Sequence, residues 1–200
     1  MTESANTGAG RPRDPAVEER VRSAACQLYA RVGWTGFSID AVAREARVGK
    51  SSIYLRWPDA TSLLLDSLQT HIDMPLDTDT GTVRGDLLIL ARNILALLTS
   101  DLGDSILRLA AEARCVPELA PRWEAFVAAN VSAVRRITSR GVSRGDLPPR
   151  TPVTLLLDAI FGGLLMHYMT TPPDRAANLA KRGDQLAESL VDMVLAAVMV

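Results

Sequence analysis

An all-α fold of about nine helices is what this chain predicts, and three observations predict it. Apolar residues recur at three- and four-residue spacing, with no sustained apolar–polar alternation of the kind that marks strands. Ala, Leu and Arg dominate, and aromatics make up only 4%. Pro and Gly fall between the periodic segments as punctuation. At 200 residues, 48% hydrophobic and 22% charged, the chain can bury a sizeable core and is neither disordered nor fibrous.

Residues 1–13 are polar, contain Gly and Pro, and read as a disordered lead with no apolar stretch of a signal peptide. The first helix starts at Asp14 and Pro15, an N-cap followed by a residue whose missing N–H costs nothing at the first helical position. Val17, Val21, Ala24, Ala25, Leu28 and Val32 form its apolar stripe, and Gly33 is expected to stop it. Ser38 can cap a short helix over 39–46. A third helix spans about 50–57, ended by Pro58, and a fourth 60–73. Helices over 86–99, 104–114, 118–141, 152–171 and 174–200 follow, richer in Leu, Ile and Val. Breaks separate them at 74–85, around Pro117, at 145–149 and at 172–173.

Composition excludes several classes. The 22 Lys and Arg against 23 Asp and Glu leave a net charge of −1, which argues against a strongly basic coat protein for nucleic acid. Split at residue 60, the first part holds nine positive and seven negative side chains, the rest thirteen and sixteen. Any DNA binding must therefore rest on a few well-placed groups. Cys26 and Cys115 are too few and too distant for a disulfide framework or zinc site, and both are expected as small buried hydrophobes in a reducing compartment. The near-apolar run 153–169 has 17 residues, interrupted by Thr154, Asp158 and His167. A membrane span wants ~20, so this run is expected as a buried core helix of a cytoplasmic protein with no membrane partner. No enzyme, metal or other cofactor is expected, because the chain lacks HExxH, Glu-x-x-His, a P-loop, a Gly-rich dinucleotide turn and a Ser elbow. His71 and His167 sit in apolar helical stretches and are expected as structural or pocket groups. RGD occurs at 84–86, 144–146 and 182–184; its Asp is expected as a helix cap or first-turn charge rather than an adhesion motif.

Residues 33–64, GWTGFSIDAVAREARVGKSSIYLRWPDATSLL, carry the functional signal. Two short helices are separated by Arg47-Val48-Gly49, and Ala43 and Ala46 are small enough for a close crossing. Ile39, Val42, Val48, Ile53 and Trp57 supply an apolar inner face. This is helix-turn-helix patterning, whose second helix enters a major groove N-terminus first. Gly49, Ser51 and Ser52 let backbone approach DNA, and the hydroxyls can bond phosphates or base edges. Lys50 offers a charge to phosphate or guanine, Tyr54 a phenol to phosphate, and Arg56 and Arg44 flanking contacts. A Lys-Ser-Ser helix start also lacks the acidic residues that complement the dipole, and so invites an external anion. A helical protein-interaction scaffold is the competing class, in which these charges face only solvent.

The segment closely resembles the DNA-binding module of the tetracycline-repressor (TetR) family of bacterial regulators. The likeness rests on Gly33 beside an aromatic, Ser38-Ile39, Val42-Ala43, Ala46 with Val48, Lys50, Ser51-Ser52, Ile53-Tyr54 and Trp57-Pro58. With Ala24, Ala25, Leu28 and Tyr29 it covers about residues 15–65. Three positions depart from it. Arg47 stands where a Gly often ends the first motif helix, adding a DNA-facing charge or straining the turn. Ala60 replaces a phosphate-contacting Lys, and Thr61, in place of an acidic or polar residue, is available as a cap. An Arg11/Arg13 arm could add a minor-groove contact.

The resemblance divides the chain into the lead, a helix-turn-helix domain over 14–59, and a body over 60–200 that senses a ligand and forms a homodimer. The residues support the dimer independently, since all eight from 193 to 200 are apolar and leave that helix without a solvent face. In the family the last two helices pack with their symmetry mates as a four-helix bundle, which points to Phe161, Gly162, Leu165, Leu190, Val194, Ala197 and Val198. Pocket positions implied among the middle helices are Ile94, Leu98, Leu107, Ala111, Trp123, Phe126, Val127, Asn130 and Tyr168, each of which also reads simply as packed core. So apolar a set suits an apolar or aromatic effector. The expected function is a homodimeric regulator of a palindromic operator in double-stranded DNA, a repressor released by a small apolar effector. An activator or a ligand-independent regulator of the same fold remains the alternative.

Overall fold

The computed structural model describes residues 15–72, 78–172 and 176–198. The lead, the Asp14 cap, the Arg11/Arg13 arm and the side chain of His71 lie outside the described residues. The helices are α1 (Pro15–Gly36), α2 (Ile39–Ala46), α3 (Lys50–Tyr54), α4 (Ala60–Ile72), α5 (Val83–Thr99), α6 (Gly103–Glu112), α7 (Ala120–Arg144), α8 (Val153–Thr170) and α9 (Ala176–Val198). There is no strand among the described residues.

Gly33 does not stop α1. It kinks the helix, with φ 67° and ψ −174°, and a last turn continues to Gly36. A Cβ at Gly33 would meet Glu112 and Arg108, so position 33 needs both the backbone freedom and the small size of glycine. At the kink, α6 supplies partners for backbone groups of α1. Glu112 Oε2 accepts the Trp34 N–H at 3.0 Å, and Arg108 Nε donates to the Ala30 carbonyl at 3.0 Å. One turn earlier, Ser105 Oγ donates to the Cys26 carbonyl at 2.9 Å. These three side chains are spaced three and four apart, hence on one face of α6. Val32, assigned to the apolar stripe of α1, is exposed because it lies just before the kink.

Two cores result. The head core gathers Tyr29, Val42, Ile53 and Trp57 with Leu63, Leu64 and Leu68 of α4, and extends into Ile106 and Leu109 of α6. α4, expected within the body domain of 60–200, packs into the head core. The body core gathers Leu87, Ile94, Val134, Ile160, Leu164 and Val191 from α5, α7, α8 and α9.

α5 begins three residues before the expected start because Thr82, not Asp86, caps it: Thr82 Oγ1 accepts the Gly85 N–H at 3.1 Å. The aspartates of the RGD triplets tie helices together. Asp86 is buried, accepting from Thr80 N–H at 2.6 Å and Arg140 Nη2 at 3.2 Å. Asp146 accepts the Val83 N–H at 3.1 Å, and Asp184 pairs with Arg92 at 2.8 Å. Cys26 is buried and desolvation pushes its thiol up to about 12, whereas Cys115 is exposed, contrary to the expectation for both. His167 is exposed too. α8 also departs from the expected core helix. By length and composition it is apolar enough to cross a membrane, yet only 22% of it is buried, so one face stands open.

Candidate nucleic-acid interface and effector cavity

α2 is started by Ser38, whose Oγ accepts the Ala41 N–H at 3.2 Å. It ends on Arg47, the one described non-glycine residue with positive φ, at 54°. The Val48 N–H bonds the Ala43 carbonyl at 3.0 Å and the Arg47 N–H that of Arg44 at 3.3 Å, the double bonding of a Schellman cap. A glycine would take this left-handed conformation without penalty; the Cβ of Arg47 is strained there. Arg47 therefore both turns the chain into α3 and stands exposed beside it.

α3 is shorter than the 50–57 expected. It ends at Tyr54, and the chain turns on through Trp57, whose place before Pro58 disfavours further helix. Ile53 and Trp57 are buried under it. Its far end is held by charge. Arg56 Nε donates to Glu18 Oε1 at 2.5 Å and its Nη1 to the Ser52 carbonyl at 3.2 Å. Arg22 Nε and the Trp57 indole N–H each reach Asp66 Oδ2 at 2.9 Å, and the Arg22 guanidinium lies 5.6 Å from the Trp57 ring centroid. Asp59, rather than Thr61, caps α4, its Oδ1 accepting the Ser62 N–H at 2.7 Å. That backbone donor holds the Asp59 carboxyl below its usual range.

The near end is open. Gly49 precedes α3 with no side-chain cap, no acidic residue lies in the first turn, and a Cβ on Gly49 would touch only Ser51 Oγ at 3.7 Å. Arg44, Arg47, Gly49, Lys50 and Ser51 are exposed, Ser52 is half-buried, and Tyr54 is 53% exposed. Lys50 Nζ rests on Asp40 Oδ2 at 2.6 Å; both side chains are more than half exposed, so the pair contributes little and exchanges readily for another anion. Arg56 alone of the predicted contact set is turned inward, braced on Glu18.

In the body, Trp123, Phe126, Val127 and Asn130 come together around one cavity of about 150 Å³ between α7 and α8. Leu157, Asp158 and Phe161 complete its wall, so Phe161, assigned to the dimer surface, faces this cavity. The other pocket positions lie elsewhere. Ile94 and Leu98 are buried in the body core, Leu107 and Tyr168 pack against it, and Ala111 is exposed. Of the dimer positions, Val194 is buried in its own subunit and Leu190 packs against Gly163. Leu165 and Val198 are half-buried, whereas Gly162 and Ala197 are exposed. Exposed Leu155, Met166 and Met169 of α8 and Met193 of α9 mark the open apolar face.

Two family models match this chain. "Bacterial regulatory proteins, tetR family" matches residues 21–66, and "Tetracyclin repressor-like, C-terminal domain" matches 77–194. This chain belongs to the TetR family. Among its curated relatives, the HTH-type transcriptional regulator AqdR of Rhodococcus erythropolis is 33% identical over 156 residues, covering 76% of this chain and 73% of AqdR. The uncharacterized HTH-type transcriptional regulator YdeS of Bacillus subtilis is 27% identical over 189 residues, covering 93% and 90%. The transcriptional regulator FadR from Bacillus subtilis, solved in complex with stearoyl-CoA, shares the fold with a TM-score of 0.71 at 18% identity, over 90% of this chain and 98% of FadR. With such relatives, the chain is a helix-turn-helix transcriptional regulator and not an enzyme.

Sequence reasoning missed the groups that orient the reading helix: Glu18, Arg22 and Asp66. Glu18 and Arg22 are four apart, a visible helix pair, but their partners are 38 and 44 residues away in sequence. Leu55, beside Tyr54, is 81% exposed, an apolar side chain with no place in the core.

Proposed function

We propose that the protein is a homodimeric repressor that reads a palindromic operator with two copies of α3 and leaves it when a small apolar effector occupies the body. The observation that carries this reading is the asymmetry of α3. Its far end is braced by Arg56–Glu18 and Trp57–Asp66, while at the near end Gly49 and Ser51 are small and open, Lys50 is exposed between them, and no side chain caps the helix. Such an end can approach a groove closely while the brace keeps its angle. Gly49, Ser51 and Ser52 contact backbone or base edges, Lys50 leaves Asp40 for phosphate or guanine, and Arg44, Arg47 and Tyr54 reach flanking phosphates. Arg56 positions the helix.

The open stripe of Leu155, Met166, Met169 and Met193 is apolar surface that a second copy would cover. Two reading helices would then meet half-sites ~34–36 Å apart, one turn of DNA. The effector acts through its differential affinity for two arrangements of the dimer, with α4 carrying the shift because it packs into the head. FadR's stearoyl-CoA is not carried over, since a cavity of about 150 Å³ is small for a long acyl chain.

A gel-shift and footprint on the gene's own upstream DNA, across a salt titration, tests this. Salt-sensitive protection of a palindrome is expected. Tyr54→Phe and Lys50→Ala should weaken binding while the dimer stays folded, and undiminished binding by both would overturn the assignment of the reading helix.

A further inference from the structure

We propose that Leu55 determines part of the DNA sequence preference: its side chain docks on the C5-methyl group of one thymine in the major groove of each half-site. This deepens the proposed function and rests on α3 being the reading helix. Three lines of observation carry it: where Leu55 stands, how firmly it is held, and what its chemistry can contact.

Leu55 is more exposed than Leu155, Met166, Met169 or Met193 of the open body face. Its N–H bonds the Ser51 carbonyl at 3.1 Å, so it stands one helical turn beyond Ser51 on the same stripe, just past the end of α3. Ser51 and Leu55 are each two residues from Ile53, hence about 160° round the helix from it. Ile53 is wholly buried, so this stripe faces directly outward, with exposed Tyr54 on its flank. Four residues advance ~6 Å along a helix axis, less than the ~8.5 Å depth of a major groove. A helix that enters by its open end at Gly49 to Ser51 therefore carries Leu55 into the groove as well. The backbone beneath Leu55 is fixed meanwhile, because Arg56 is bonded to Glu18 and to the Ser52 carbonyl, and Trp57 to Asp66.

Chemistry names what Leu55 meets. A leucine side chain offers no hydrogen bond to phosphate, and the apolar group that base pairs present in the major groove is the thymine methyl. Against guanine, or against the amino groups of adenine and cytosine, the same side chain would strip water from polar atoms and replace none of their hydrogen bonds. Against a thymine methyl both partners leave water favourably. Lys50, Ser51 and Ser52 can supply polar contacts from the same helix, so Leu55 adds an apolar discrimination that none of them makes.

The test uses the purified full-length protein and a duplex that it selects from a randomised pool. Each thymine of that duplex is replaced in turn by uracil, which removes the C5-methyl group and keeps the pairing, and affinity is read by fluorescence anisotropy. At one position the unaltered protein should lose about fourfold for each half-site altered, the worth of one buried methyl-sized group. Leu55→Ala should bind thymine and uracil duplexes equally at that position, with an unchanged melting temperature because the side chain lies outside the core. Leu55→Met, which restores an apolar tip, should recover the sensitivity. The proposal is overturned if no thymine is uracil-sensitive in the unaltered protein, or if every such sensitivity survives Leu55→Ala. Equal losses by Leu55→Ala on thymine and uracil duplexes overturn it too, since they mark a contact to deoxyribose. Lys50→Ala and Tyr54→Phe on the same duplex separate this inference from its basis. Weakening by both without a Leu55-dependent thymine removes the role of Leu55 alone. No weakening and no such thymine, or no duplex enriched from the pool, removes the reading helix with it.

Discussion

In the head, four helices close over Tyr29, Ile53 and Trp57, and charged side chains tie the rim of that core back to the chain itself. In the body, α5, α7, α8 and α9 share a core, but α8 and α9 leave Leu155, Met166, Met169 and Met193 in water and α7 and α8 leave a cavity. The head ties its rim charges to its own side chains and exposes Tyr54 and Leu55 beside the reading end; the body leaves a broader apolar face open on α8 and α9. A reading element has to keep one geometry whatever the body does. Under the proposed function the body is the sensing element, and unfilled surface lets its free energy change when a partner or effector arrives. The clasp of Ser105, Arg108 and Glu112 on α1 joins the two, tying α6 to the head through hydrogen bonds as well as packing.

The sharpest way to break this contrast is to attack the head core. Trp57→Ala removes a buried indole, its bond to Asp66 and the ring beneath Arg22, and should cost about 3–5 kcal/mol in denaturant unfolding. A loss under 1 kcal/mol would mean that the head is not closed as described. The body's incompleteness is tested by Met166→Asp with Met193→Asp. Both residues are exposed in one subunit, so the folded monomer should persist while sedimentation shows self-association weakened by about 100-fold or more. Association unchanged by two charges would place the interface elsewhere.

Smaller effects separate reading from folding within the head. Gly49→Ala has open space and an ordinary φ of −70°, so the melting temperature should hold while operator affinity falls about tenfold through lost close approach. Arg47→Gly should act in opposite directions, raising stability by about 1 kcal/mol through relief at φ 54° and lowering operator affinity through the lost charge. The smallest effect is the acid response of the α4 cap. The Asp59 carboxyl is held down in the folded protein by the Ser62 N–H, so its contribution is full above about pH 4, the unfolded value, and fades as pH falls through the folded one. Asp59→Asn should flatten that part of a pH–stability curve.

Much of the head was legible because its signals are local. The Ser38 cap, the three-residue turn, the Ile53 and Trp57 pair and the small residues at 49–52 lie within about twenty positions of one another. The turn strain at Arg47 was legible too, as a departure from the glycine the resemblance leads one to expect. Arg56 reads locally as a DNA contact but serves as a brace, since nothing near it in sequence reveals that Glu18 claims it. In the body, four of nine pocket positions line the cavity. The apolar residues of α7 are visible in sequence, but which ones face a gap depends on where α8 lies. Val194 and Leu190 illustrate the same limit, apolar positions on a helix whose inner and outer faces differ only in what stands opposite.

The sequence by itself determined the helices, their punctuation and the reading motif, because caps, turns and apolar periodicity act over a few residues. Tertiary structure alone decided where helices separated in sequence meet. It set Glu112 and Arg108 against the kink at Gly33, turned Arg56 onto Glu18, and brought Arg140 of α7 onto the buried Asp86 of α5. Those outcomes are encounters between side chains tens of residues apart, and only the packing of whole helices brings such groups within bonding distance.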